Sequence, residues 1–316
     1  MSVYTPVTHQ QLQQFLERYD VGRLLEHAGI RAGVENTNYF VTTEGGEWVL
    51  TLFETLRAEE LPWFLKLMDH LAREGLPVPA PRADREGNLL QRLNDRPAAL
   101  VQRLRGQSPD TPSGSQCETI GEMLGRLHLA AQDYPGGHQP NPRGLAWQQA
   151  AAKRLYPVLE PAHSRLLDEE LALRRQLRTD SLAQGIIHGD LFVDNALFKD
   201  NRLTGVIDFY YACHEALLYD LAVAVNDWCT DMSGEVDPGL QAAIFRGYRR
   251  HREPEPGEAA CWNSMLRAAA LRFWLSRLHD HHFRQRSEIG PVKDPEAFRR
   301  ILLRRRENPC RLPDAN

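Results

Sequence analysis

Along the chain the spacing of apolar side chains changes period several times, and each change marks a new element. Leu12, Phe15, Leu16 and Tyr19 recur at helical spacing, and Thr8 followed by Gln11 is a capping pair that predicts where this helix starts. From Gly33 to Phe53 the pattern becomes strand-like. Tyr39-Phe40-Val41 and the run from Trp48 to Phe53 flank Glu44-Gly45-Gly46-Glu47, which predicts a hairpin. Leu61, Phe64, Leu65, Met68, Leu71 and Ala72 return to helical spacing, with Gly75 as the stop. Residues 98–104 are strand-like again. Residues 1–105 therefore read as a small α+β unit.

The turn-rich run from Gly106 to Gly114 is the expected boundary, so residues 106–316 form the second unit. Ser115 and Glu118 are expected to cap a helix carrying Ile120, Leu124, Leu127 and Ala131 on one face. A Pro- and Gly-rich loop over residues 133–144 reads equally as a lid or as a plain connection. Short apolar runs at 185–187, 196–198 and 206–207 predict buried strands, and the chain from Tyr219 onward reads as mostly helical.

Between those strands lies the densest chemistry. His188-Gly189-Asp190 is followed by Asn195 after four intervening residues, and Asp208 ends the next apolar run. This is the spacing that phosphoryl transfer from a metal–nucleotide requires, because the protein's task there is positioning and neutralising charge. Asp190 suits the role of aiming an attacking hydroxyl and taking its proton. Asn195 and Asp208 offer the hard oxygens that Mg²⁺ prefers. His188 is expected to pack and hydrogen-bond the loop rather than react.

Composition narrows the field. A net charge of −4 speaks against a general nucleic-acid binder, and no apolar run approaches the ~20 residues of a membrane span. Five scattered cysteines without a Cys-x-x-Cys pair, and a start lacking a basic and an apolar region, lead to the expectation of a reducing, cytoplasmic setting. The arginines at 299–300 and 304–306 read as a solvated terminal helix, while Trp228, Phe273 and Trp274 read as core.

The His188–Asn195 loop, the Ile207-Asp208-Phe209 strand end and Tyr219-Asp220-Leu221-Ala222 resemble the aminoglycoside phosphotransferase/choline kinase family. Residues 33–41, 206–213, 226–229 and 272–278 are similar to the bacterial branch of that family that phosphorylates L-homoserine. The resemblance spans nearly the whole chain. It implies an α+β, two-lobed protein-kinase-like fold: a small, mostly antiparallel-sheet lobe over residues 1–105 and a larger, mainly helical lobe over 106–316, with ATP between them. It also implies Asp190 as catalytic base, Asn195 and Asp208 as Mg²⁺ ligands, and Asp220 as a brace of the catalytic loop. Gly33, Asn36, Thr37 and Asn38 would cover the phosphates, and the run Gln102-Arg103-Leu104 would hinge the lobes and offer backbone bonds to adenine. L-Homoserine presents a carboxylate and an ammonium, which would meet Arg272 or Arg267 and Asp227 or Asn226 respectively. Choline, an aminoglycoside or another small alcohol is the alternative acceptor. One departure stands out: the third strand of this fold usually carries Lys or Arg against the phosphates, and Thr51 occupies that position here. Asn36, Asn38, Arg57 or Lys66 could supply the missing donor, or the chain could be a nucleotide-binding module without activity.

Overall fold

The computed structural model describes residues 3–30, 36–283 and 293–314. These fall into two compact units, the first ending at Arg105 and the second beginning at Gly106. In the first, helix α1 (His9–Leu16) starts as its sequence dictates: Gln11 N donates to Thr8 Oγ1 and Thr8 N donates to Gln11 Oε1. An edge strand β1 (Leu24–Gly29) follows, which the pattern did not announce because only Leu24 along it is buried and no alternation develops. Strands β2 (Asn36–Thr43) and β3 (Gly46–Phe53) form the predicted hairpin in antiparallel register, from Asn36 opposite Phe53 to Thr43 opposite Gly46. Helix α2 (Leu61–Arg73) buries the predicted Leu61, Phe64, Leu65, Met68 and Leu71, leaves Ala72 half-buried, and stops before Gly75, whose positive φ of 78° glycine adopts without strain. Strands β4 (Gln91–Leu93) and β5 (Arg96–Gln102) complete a five-stranded sheet in the order β1-β2-β3-β5-β4. Alternation sends Tyr39, Val41, Leu50, Leu52 and Leu100 to the core that Leu12, Phe15, Leu16 and Tyr19 also fill.

In the second unit, α3 (Gly114–Ala130) starts two residues earlier than expected. Ser113, not Ser115, is the cap, because Gln116 completes a reciprocal pair with it. Helices α4 (Leu145–Leu155) and α5 (Pro161–Gln176) lead to the strands. Strand β6 (Gln184–Ile187) pairs antiparallel with β9 (Cys213–Ala216), while β7 (Ala196–Lys199) pairs with β8 (Arg202–Val206). Helices α6 (Leu217–Trp228), α7 (Pro238–Tyr248), α8 (Pro256–Phe283) and α9 (Pro295–Glu307) complete the unit. Helices α3 and α7 touch backbone to backbone: a Cβ on Gly121 would strike Ile244 O, and one on Gly247 would strike Glu118 O.

Trp228 and Trp274 are fully buried, and Phe273 nearly so. The expectation of a wholly solvated terminal helix is overturned. Phe298, Ile301, Leu302 and Arg305 of α9 are buried. The Arg305 guanidinium donates to Asn226 Oδ1 (3.2 Å), Gly234 O (2.8 Å) and Thr230 Oγ1 (2.8 Å). A buried arginine tolerates its surroundings when several donors are satisfied at once, which helical periodicity of charge cannot reveal.

Candidate active site

The apolar strand β6 delivers the chain to His188, and the loop that follows is held mainly through its backbone. Asp190 N donates to His188 Nδ1 (3.2 Å), so Nε2 carries the ring proton and donates to Ile207 O (3.0 Å). Burial pushes the His188 pKa down, which keeps the ring neutral in this role. Gly189 adopts a φ of 74°, and a Cβ there would approach Tyr211 O to 2.9 Å, so the position between His188 and Asp190 needs glycine. Asn195 Nδ2 donates to Asp190 O (2.8 Å) and to Asp190 Oδ2 (3.3 Å). That contact turns the opposite end of the amide, Oδ1, into the hard oxygen available for a cation. Asp208 ends the β8 run in the left-handed region, with a φ of 67°. Such a conformation in a non-glycine residue costs energy that the surrounding fold must offset, and it is frequent where a side chain is aimed at a ligand. An amide oxygen from Asn195 and a carboxylate from Asp208 are donor types that suit Mg²⁺.

Asp220, on the first turn of α6, is fully buried and accepts from His188 N (2.8 Å), Gly189 N (2.8 Å) and His128 Nε2 (3.2 Å). Burial alone would raise its pKa, but the hydrogen bond from His128 and those from the loop amides hold the carboxyl below its ordinary range. The chain of contacts continues outward. His128 Nδ1 accepts from the Tyr248 hydroxyl (3.0 Å), Arg252 donates to that hydroxyl (3.3 Å), and Arg252 pairs with buried Glu258 (2.6 Å). Farther along α6, Asp227 Oδ2 accepts from Val193 N (2.7 Å), and Trp228 Nε1 donates to Leu191 O (3.1 Å). Burial raises the Asp227 pKa to about 6; the Val193 amide, Lys293 and Arg277 pull it down, while Asp194 pushes it up.

The residues expected to meet the acceptor separate into two groups. Arg272 lies beside Asp190, with Nη1 at 3.4 Å from Asp190 Oδ1, and its guanidinium stacks on Phe273 (3.7 Å) and Tyr211 (4.8 Å). Arg267 instead forms a two-pronged pair with Glu170 (2.6 and 3.1 Å). Asn226 donates to Leu266 O (2.8 Å) and accepts from Arg305, so both ends of its amide are engaged within the helical core.

In the first unit, Asn38 and Thr51 face each other across β2 and β3, and the Thr51 hydroxyl donates to Asn38 Oδ1 (2.7 Å). Thr37 points to the opposite side of β2. It is fully buried, its hydroxyl donates to Glu54 Oε1 (2.7 Å), and it accepts from the amides of Tyr4 and Thr5. Asn36 Oδ1 is buried with no hydrogen-bond partner among the described residues. Arg57 pairs with Glu60 at the surface, and Lys66 is exposed. Gln102 N donates to Ala80 O (2.8 Å), and Leu104 is half-buried. Gly33 lies outside the described residues.

The sequence profile of the phosphotransferase enzyme family (APH) matches residues 26–254. The chain belongs to this family. Homoserine kinase of Methylobacillus flagellatus is 49% identical over 302 residues, covering 96% of this chain and 94% of that protein. Homoserine kinase of Neisseria meningitidis serogroup B is 44% identical over 96% of this chain and 99% of its own length. Among solved structures, an amicoumacin kinase in complex with AMP-PNP and Ca²⁺ aligns with a TM-score of 0.72 at 16% identity, covering 95% of this chain and 92% of that one. A spectinomycin phosphotransferase aligns with a TM-score of 0.67 at 15% identity, covering 94% of each chain. At such identities the likeness establishes the fold, which is the α+β kinase-like fold of phosphotransferases.

Within this family frame, the residues that sequence reasoning passed over are His128, Tyr248 and Arg252. His128 had a signal: it follows Leu127 on the face carrying Ile120, Leu124 and Ala131, where a polar side chain must find a buried partner. Tyr248 and Arg252 carried no such signal, because nothing in the order of residues links α7 to α3. No helix among the described residues is long and apolar enough to cross a membrane.

Proposed function

We propose that the chain transfers the γ-phosphoryl group of ATP to the hydroxyl of L-homoserine, giving O-phospho-L-homoserine, the step that feeds threonine biosynthesis. The observation that carries this reading is 49% identity across nearly the full length of a protein named homoserine kinase. The arrangement around Asp190 supports it. Asp190 takes the proton of the acceptor hydroxyl as that oxygen bonds to the γ-phosphorus, and the bond from the γ-phosphorus to the β–γ bridging oxygen breaks to release ADP. Arg272, 3.4 Å from Asp190 Oδ1, holds the carboxylate in position and places a guanidinium where an amino-acid carboxylate would arrive. Because Arg267 and Asn226 are engaged elsewhere, this reading assigns the carboxylate to Arg272 and the ammonium to Asp227. Asn195 and Asp208 would hold Mg²⁺, which would supply neutralising charge on the transferred phosphoryl group. The five cysteines are free thiols, which suits a cytoplasmic setting.

A coupled ADP-release assay across a panel of amino alcohols, with and without Mg²⁺, tests the proposal. L-Homoserine is expected to be the fastest acceptor, with activity abolished by chelation. Faster phosphorylation of choline than of L-homoserine would overturn it.

A further inference from the structure

Asp220 divides its two oxygens unevenly. Oδ1 accepts from Gly189 N (2.8 Å), whereas Oδ2 is shared between His188 N (2.8 Å) and His128 Nε2 (3.2 Å). The state of His128 therefore bears on the amide two residues before Asp190. On its other side the buried His128 ring meets the Tyr248 hydroxyl, 3.0 Å from Nδ1. Backbone contact fixes that approach: a Cβ on Gly125 would lie 3.1 Å from Tyr248 O and 2.8 Å from His251 Cβ. Beyond the hydroxyl, Arg252 Nη1 donates to it (3.3 Å), and Nη2 donates to Glu258 Oε2 (2.6 Å), which also accepts from Glu255 N (2.7 Å). Glu258 is fully buried, and its Oε1 has no hydrogen-bond partner among the described residues.

The placement of protons along this chain follows from its donors. A guanidinium only donates, so the Tyr248 oxygen accepts from Arg252 and turns its single proton to His128 Nδ1. Nδ1 is then a bare acceptor, and the ring proton sits on Nε2, facing Asp220. Without Arg252 the hydroxyl could turn round and accept from a protonated Nδ1. The ring would become an imidazolium against Asp220, and a charge-assisted bond shorter than the present 3.2 Å would draw Oδ2 away from His188 N. A buried ion pair such as Arg252–Glu258 adds little stability over an apolar pair of the same volume, so its presence asks for another role. We infer that Arg252 is a remote positioning residue for Asp190: by orienting the Tyr248 hydroxyl it keeps His128 a neutral, single donor and leaves Asp220 to hold the loop. This rests on the reading of Asp190 as the base for L-homoserine and deepens it by naming a residue that acts on the loop through three others.

Ring-nitrogen NMR of the ¹⁵N-histidine-labelled protein reads this arrangement, with the His128 signals assigned by their loss in His128→Gln. The parent at neutral pH should show two widely separated resonances, one from a protonated Nε2 and one from a bare Nδ1. In Arg252→Met the two should draw together as in an imidazolium. Turnover of L-homoserine should fall about ten- to a hundredfold, with the KM for ATP within about twofold of the parent. Arg252→Lys keeps a donor for both partners and should restore the parental spectrum and most of the turnover. If Arg252→Met accumulates unfolded because Glu258 is left buried and unpaired, Arg252→Met combined with Glu258→Leu removes both charges together and carries the same test. Separated resonances in the folded Met variant, or an imidazolium with parental kcat, would overturn the inference and leave Arg252 as a brace between α7 and α8. The two ideas fail separately: a parent inactive on L-homoserine removes the functional reading and this inference with it, whereas an active parent with indifferent Arg252 variants removes the inference alone.

Discussion

The polar residues of the β2–β3 hairpin and those of the loop from His188 to Asn195 are satisfied in different ways. In the hairpin the side-chain partners are mostly register neighbours: Thr51 bonds Asn38 directly across the strands, and Thr37 bonds Glu54, one residue beyond β3, with the amides of Tyr4 and Thr5 as its distant partners. In the loop from His188 to Asn195 the partners come from elsewhere. Asp220 and Asp227 of α6 receive three loop amides, Trp228 of the same helix holds Leu191 O, and Arg272 of α8 meets Asp190. Local pairing makes a hairpin tolerant, because register survives the loss of one side chain. Long-range bracing makes the loop exact but dependent, since each brace leaves buried amides orphaned when it is removed.

Replacing the reacting group itself should give the largest effect. Asp190→Asn is expected to lower kcat by about 10²–10⁴ while leaving the KM for ATP nearly unchanged, as steady-state kinetics would read. Near-parental turnover would remove Asp190 from its role as base.

The brace comes next. Asp220→Ala deprives the amides of His188 and Gly189, and the His128 ring, of a buried acceptor. A loss of about 3–5 kcal/mol in denaturant unfolding is expected, together with reduced activity. A loss no larger than that from deleting a surface carboxylate would end the contrast drawn between the two regions.

The second brace predicts a pH signature. The Asp227 pKa is raised from its ordinary value to about 6 in the folded protein, so the folded state holds a proton that the unfolded state has released between pH 4 and 6. Stability therefore falls as pH rises through that window, and the full cost applies above it. Asp227→Asn keeps an acceptor for Val193 N and removes the charge. Its thermal midpoint should gain on the parent's across pH 4–6.5, by the equivalent of about 1–3 kcal/mol at most. A constant difference between the two proteins over that range would contradict the assignment.

The hairpin should give the smallest response. Thr51→Lys restores the cation usual on this strand, but Thr51 is buried and bonded to Asn38, so the new side chain must displace a satisfied pair. The KM for ATP is expected to stay level or to rise. A pronounced drop would mean that the strand lacks a phosphate donor that a lysine can supply, and that its polar pair is dispensable.

The order of residues determined the elements whose causes are local: the Thr8 cap, the hairpin around Glu44-Gly45, the apolar face of α2, and the interval from Asp190 to Asn195 and on to Asp208. In each of these the physical reason lies within a few residues: a cap and its amide, a period of two or of 3.6, or a glycine where φ is positive. What only the tertiary structure decided is which of several equivalent side chains reaches the site. Arg267 and Arg272 lie on the same helix and were indistinguishable by type, yet Glu170 of α5 takes the first while Asp190 meets the second. Asn226 and Asp227 are neighbours, and the rotation of α6 turns one to α8 and α9 and the other to the loop. Strand β9, the His128–Asp220 bond and the Tyr248–His128 bond join segments dozens of residues apart. Charge and hydrogen bonding act through space, so pairing between distant segments leaves no period in the sequence, and only the folded chain selects the partner.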